Sequence, residues 1–127
     1  MGPLGSAFHR FNRLRAGLPL TIILRVRRRE LISVQVRYYV DSQTDLPYIY
    51  NHDVSEMEVE QVLTRPAEDH LLNEGAHVAI GYTSTGRTLR VIYVPEPQAD
   101  GVFVITAYDL RGKPLLAYRR RRRRKHQ

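Results

Sequence analysis

The stretch Val102-Phe103-Val104-Ile105-Thr106-Ala107-Tyr108 decides the fold. Both of its alternating residue sets are apolar, and β-branched and aromatic types dominate it, as in a strand covered on both faces at the centre of a sheet. Such a strand needs neighbours, and two lie upstream. Ala76 to Thr83 and Arg87 to Val94 are strand-like runs joined through Thr83-Ser84-Thr85-Gly86, where Gly86 can adopt the positive φ of a tight hairpin. Pro95 and Pro97 are expected to close the second run. The spacing of the three runs predicts a meander.

Working further upstream, Glu68 to Gly75 is polar and reads as a loop, and Pro66 ends the element before it. That element is predicted to be a helix. Ser55 with Glu58 three residues later fits a capping box, Glu56 and Glu58 suit the positive N-terminus, and Val59, Val62 and Leu63 share one apolar face. Ahead of it stand a short Tyr48–His52 segment, the turn formers Asp41 to Pro47, and a strand-like Ser33 to Val40. Together these predict an α+β fold, a small antiparallel sheet with one or two helices. Val59, Val62 and Leu63 are expected to pack on a sheet face made of Val78, Ile80, Leu89, Val91, Phe103 and Ile105.

The 127 residues suit a single domain, here residues 31–118, and their net charge of +7 is unevenly placed. Residues 1–30 hold seven Arg and one Glu, a net of +6, and residues 119–125 are all basic, +7. Residues 31–118 hold six basic and twelve acidic residues, a net of −6. Residues 1–30 read as a basic extension, disordered or lying ahead of the native start. The run Arg119, Arg120, Arg121, Arg122, Arg123, Arg124, Lys125 reads as part of a disordered polybasic tail, 119–127, held open by like-charge repulsion. Such a tail would neutralise phosphates; an anionic membrane, the acidic body or the acidic helix of a second copy are its other counter-surfaces. The absence of cysteine excludes disulfides and thiolate chemistry. Leu18 to Leu24 is too short to span a bilayer and is followed by arginines without a small-residue cleavage site, so a cytoplasmic location is expected.

No phosphate-cradling loop, histidine pair at metal spacing or nucleophile elbow is present in the sequence, so no cofactor and no metal are expected. What remains is a set of basic and phenolic side chains: Arg87 and Arg90 on one strand, Tyr108 on the last, then Arg111, Lys113 and Tyr118. Metal-free RNA cleavage requires deprotonation of the 2′-OH, cationic stabilisation of the phosphorane and protonation of the leaving oxygen, which such groups can supply. The same residues also suit ordinary packing and surface roles. His52 stands where the helix dipole and Asp53 both act on it, a position that suits acid–base work and equally suits plain hydrogen bonds from its ring nitrogens to the loop backbone.

His52-Asp53-Val54-Ser55 with Glu56 and Glu58, Ala79 to Val91 across the hairpin, and Val104-Ile105-Thr106-Ala107 resemble, in order, the helix start, hairpin and last strand of BrnT-type toxins. Residues 48–118 are most similar to a bacterial group of uncharacterised domains related to them. The resemblance implies a RelE-like sheet with helices, ribonuclease activity without a metal, and a separately encoded antitoxin as partner. It places His52 on the family histidine, Arg87 on the arginine after the hairpin glycine, and Tyr118 on the terminal tyrosine. Tyr108 and Asp109 stand where the family has arginines, a loss of positive charge that Arg111 and Lys113 would offset. Pro114 replaces a charged residue and is expected to interrupt the helix that should follow. An RNA-directed role, with Arg111 and the 119–125 run as the nucleic-acid contacts, is the functional expectation; a non-enzymatic interaction module with the same tail is its alternative.

Overall fold

A computed structural model describes residues 20–27, 30–97 and 100–125. The elements, in chain order, are β1 (Leu20–Arg27), β2 (Glu30–Tyr38), a 3-10 turn (Tyr48–His52), α1 (Glu56–Thr64), β3 (Glu68–Asn73), β4 (Ala76–Tyr82), β5 (Thr88–Glu96), β6 (Gly101–Asp109) and α2 (Gly112–Lys125). The strands form one sheet in the order β1-β2-β6-β5-β4-β3. β6 is therefore internal, as its two apolar faces require.

The sheet is mixed, not antiparallel throughout. β2 runs parallel to β6, pairing Gln35 with Gly101 through Tyr38 with Val104, while every other neighbouring pair is antiparallel. Gly101 permits this junction, since a Cβ there would lie 2.2 Å from the Gln35 carbonyl oxygen. Leu20–Arg27, within the extension expected to be disordered or to lie ahead of the native start, is a strand that pairs antiparallel with β2; residues 1–19 and 28–29 lie outside the described residues. Glu68–Asn73, expected to be a loop, is the edge strand β3, and its exposed, polar make-up removes the alternation that would have revealed it. Pro95 lies inside β5. The pairing of β5 with β4 ends at Tyr93, so Pro95 has a strand partner on one side only, where a missing N–H is tolerated.

The Ser55–Glu58 capping box is present: the Ser55 hydroxyl accepts from the Glu58 N–H at 3.2 Å, and the Ser55 N–H donates back to the Glu58 carboxylate at 3.1 Å. α1 packs Val59 and Val62 against Ala79, Leu89, Val91 and Val104, with Leu63 at the margin. Leu89 and Val91 thus lie on the expected face. Val78, Ile80, Phe103 and Ile105 do not; they belong to the opposite face. Two causes misled the periodicity. β4 is buried on both faces, which erases alternation, and Ile105 is an extra residue in β6 opposite the Ile92–Tyr93 step of β5, which flips the sides of the strand beyond it.

The opposite face is closed by α2. Tyr118, fully buried, and Leu115 sit on Val78, Ile80 and Leu110. Arg119 to Lys125, expected to be a disordered tail, is the second half of this helix. Arginine is a good helix former, cations favour a helix C-terminus, and the anchor one residue ahead of the run supplies the packing that an isolated polycation lacks. Pro114, expected to break the helix, falls in its first turn, where no intrahelical N–H bond is required.

Replacing Ile105 by Ala should destabilise the protein by about 2–5 kcal/mol in urea titrations, as expected for a central strand. The Tyr118 hydroxyl meets no hydrogen-bond partner among the described residues. Tyr118→Phe should therefore be neutral or stabilising while Tyr118→Ala costs about 3–5 kcal/mol.

Candidate nucleic-acid interface

The hairpin after β4 fixes Arg87. Gly86 sits at φ +85°, the Thr83 N–H donates to the Arg87 carbonyl at 2.9 Å, and the Arg87 N–H returns to the Thr83 hydroxyl at 3.1 Å. From there the guanidinium reaches three segments. Nε and Nη2 donate to the Asp109 carboxylate at 3.0 and 3.1 Å, and Nη1 donates to Glu58 at 2.9 Å and to the Asp53 carbonyl at 2.7 Å. Asp53 itself is left-handed, φ 56°, where the 3-10 turn hands over to α1. Arg87 therefore ties the start of α1, the turn before it and the end of β6.

This arrangement changes the meaning of Asp109. The residue is not merely lost positive charge but the bidentate partner of Arg87, and it also accepts from the Arg111 guanidinium at 3.0 Å. Hydrogen bonds from Arg87, reinforced by Arg111, outweigh burial and hold the Asp109 carboxyl below its ordinary range. For Glu58, burial pushes the carboxyl up, but the Ser55 amide and the Arg87 guanidinium overcome it and leave it depressed.

The structure separates the six residues expected to act in catalysis. Arg87 has its donors committed to Glu58, Asp109 and backbone, so it is a buttress and is not presented to a ligand. Tyr118 is buried beneath α2, where no substrate reaches it. Lys113 is exposed in the first turn of α2. Only His52, Tyr108 and Arg90 come together: the His52 and Tyr108 rings are 5.9 Å apart, and the Arg90 guanidinium carbon lies 6.0 Å from the centre of the Tyr108 ring. Arg90 and Tyr108 face each other across β5 and β6 on the α2 side of the sheet.

Of the expected nucleic-acid contacts, Arg111 is exposed beside Asp109. Within the arginine run, Arg121 makes a bidentate pair with Glu68 at 2.8 and 2.9 Å, and Arg122 donates to the Ala67 carbonyl at 3.2 Å. The acidic body thus takes up these two residues. Arg119, Arg120, Arg123, Arg124 and Lys125 remain exposed. Between α2 and the sheet lies an open groove of about 630 Å³, with Pro114 and Ala117 of α2 and the margins of the buried Val78, Ile80 and Leu110 along it and Arg90, Arg121 and Lys125 at its rim. Its contributors Glu68 and His70 stand on β3, the strand hidden in the polar stretch, so the groove was not visible in the sequence. Among the described residues no three His, Asp or Glu side chains converge as a metal site would need, and no helix is long and apolar enough to cross a membrane.

Comparison with known proteins finds no matching family model, no matching curated protein and no matching solved structure.

The Arg87 hub makes stability acid-sensitive in a defined direction. Glu58 and Asp109 have folded-state affinities for protons below their unfolded ones, so their contribution is complete above about pH 5 and is lost as the pH falls through the depressed folded values. Arg87→Met should cost about 1–3 kcal/mol at neutral pH by removing the charged donor that Glu58 and Asp109 share, and should flatten the acid limb. Denaturant titrations of both proteins between pH 3 and 7 measure it; parallel acid limbs would remove the hub from the account.

Proposed function

We propose that the protein is an RNA-binding module whose main contact is the outer surface of α2. The observation that carries this reading is the placement of five exposed cations, Arg119, Arg120, Arg123, Arg124 and Lys125, on a helix held to the sheet by Tyr118, Arg121 and Arg122. A floppy tail loses side-chain and backbone freedom when it meets a phosphate backbone, whereas these cations are already held on a common scaffold. Arginine suits the role because its planar fork meets phosphate oxygens in pairs. The acidic remainder of the domain repels the same polyanion, which confines contact to this side.

A second reading, metal-independent ribonuclease activity as in the BrnT-type toxins that the sequence resembles, draws support from the contact of His52, Tyr108 and Arg90. The sequestered Arg87 and buried Tyr118 count against it. Incubating purified protein with RNA in a chelator distinguishes the two: intact RNA leaves binding alone, and cleavage lost in His52→Ala restores the nuclease.

Binding should weaken linearly with the logarithm of salt concentration, by about 0.7 log unit per log unit of salt for each phosphate neutralised on a single strand. Arg120→Glu with Arg123→Glu should make that dependence shallower by about 1–2 phosphates' worth and lower stability by no more than about 1 kcal/mol, the helix-dipole contribution, since neither residue meets a carboxylate among the described residues. Anisotropy titrations at two or more salt concentrations test this, and an unaltered slope would move the contact off α2.

A further inference from the structure

The sheet face beside α2 carries a second feature that a charged helix alone does not require. The Tyr108 and His52 rings continue into a row: Tyr48 lies 5.8 Å from His52, and Tyr39 lies 5.6 Å from Tyr48. At its other end the row meets Arg90, which stands over Tyr108 and also lines the groove beneath α2. Groove and row therefore form one continuous surface, basic at the helix end and aromatic at the turn end. Every ring in it has a polar edge, and Tyr39, Tyr48 and Tyr108 are half-buried while His52 is exposed.

Resting on the RNA-binding reading and sharpening it, we propose that this surface is a path for an unpaired nucleic-acid strand, with the phosphates on the cations of α2 and bases against Tyr108 and His52. A duplex can use the outer arginines, because those contacts need only phosphate. It cannot use the rings or the groove, since its bases are already stacked on one another and turned inward. An unpaired base has a free π-face, and stacking on Tyr or His accepts any base. The groove borders the same path: Pro114 and Ala117 of α2 give it accessible apolar lining, and Arg90 and Lys125 supply cations for the flanking phosphates. The two carboxylates that line it are both engaged. Glu68 is paired with Arg121, and Asp69 accepts from the Tyr93 hydroxyl at 2.7 Å. Single strands are thus distinguished from duplexes by the sheet face, and all polyanions are attracted by the helix.

The test uses the full chain and labelled oligonucleotides of about twelve nucleotides, a span such paths cover, as single-stranded RNA, single-stranded DNA of the same sequence, and the RNA duplex. Tyr108→Ala should weaken single-strand binding by about tenfold or more, the loss expected from one stacked base, and change duplex binding less than twofold. His52→Ala, at an exposed turn position that leaves the core intact, should act in the same selective way, and Tyr108→Phe should retain binding. Arg120→Glu with Arg123→Glu should weaken both forms. The RNA and DNA arms identify the sugar, and selective loss in either supports the path. Equal losses for single strand and duplex, or no loss in both Tyr108→Ala and His52→Ala, would overturn it while leaving binding through α2 intact. Failure of the unmodified chain to bind any of the three would overturn the RNA-binding reading itself.

Discussion

The guanidinium of Arg87 is the contact on which the rest of the molecule turns. One planar group meets Asp109 at the end of the central strand, Glu58 in the first turn of α1 and the Asp53 carbonyl between them. Each of those positions fixes another. Glu58 also closes the capping box with Ser55, Asp53 carries the left-handed step that lets the chain enter α1, and Asp109 leads within three residues into α2. Side chains that belong to distant parts of the sequence are thereby held to one origin. His52 and Tyr108, immediate neighbours of Asp53 and Asp109 in the chain, meet because their neighbours are clamped.

Much of the fold was legible because it rests on local chemistry. The Ser55–Glu58 cap, the Gly86 turn and the doubly apolar β6 are signals that a few adjacent residues carry by themselves. What escaped was non-local. The parallel pairing of β2 with β6 depends on a close approach at Gly101 that no periodicity encodes, and β3 is too polar and too exposed to announce itself. Register failed at β4 and beyond Ile105 for a related reason: alternation reports a strand with one wet face, and neither segment has one. The arginine run shows the same limit in electrostatic form. Its repulsion is plain in the sequence, while the docking of Tyr118 and the reach of Arg121 to Glu68 are tertiary facts.

The candidate site was legible in its residue types more than in its roles. His52, Arg90 and Tyr108 do come together, but Arg87 and Tyr118 serve the architecture, one as a clasp and the other as an anchor. The Arg87 guanidinium, of a type that suits a phosphate, is already occupied by two carboxylates. Asp109, which looked like missing basicity, is the reason that Arg87 stays where it is. The acidic middle and basic end of the chain likewise find a joint use: Glu68 fastens α2, and the cations left over face outward.

The parallel seam between β2 and β6 also has a bearing on how the chain is made. Only Gln35 to Tyr38 are in register with β6, and that partner begins at Gly101, more than sixty residues later. On a ribosome the β1–β2 hairpin would emerge and then wait for the whole of β3, β4 and β5 before its mate appeared, at synthesis rates of about 5–20 residues per second. For those seconds its inner edge is an open template for other chains. The remainder of the sheet is built from sequential neighbours and can close as it is synthesised, so assembly would proceed from the C-terminal half, with the first strands of the sequence being the last to join.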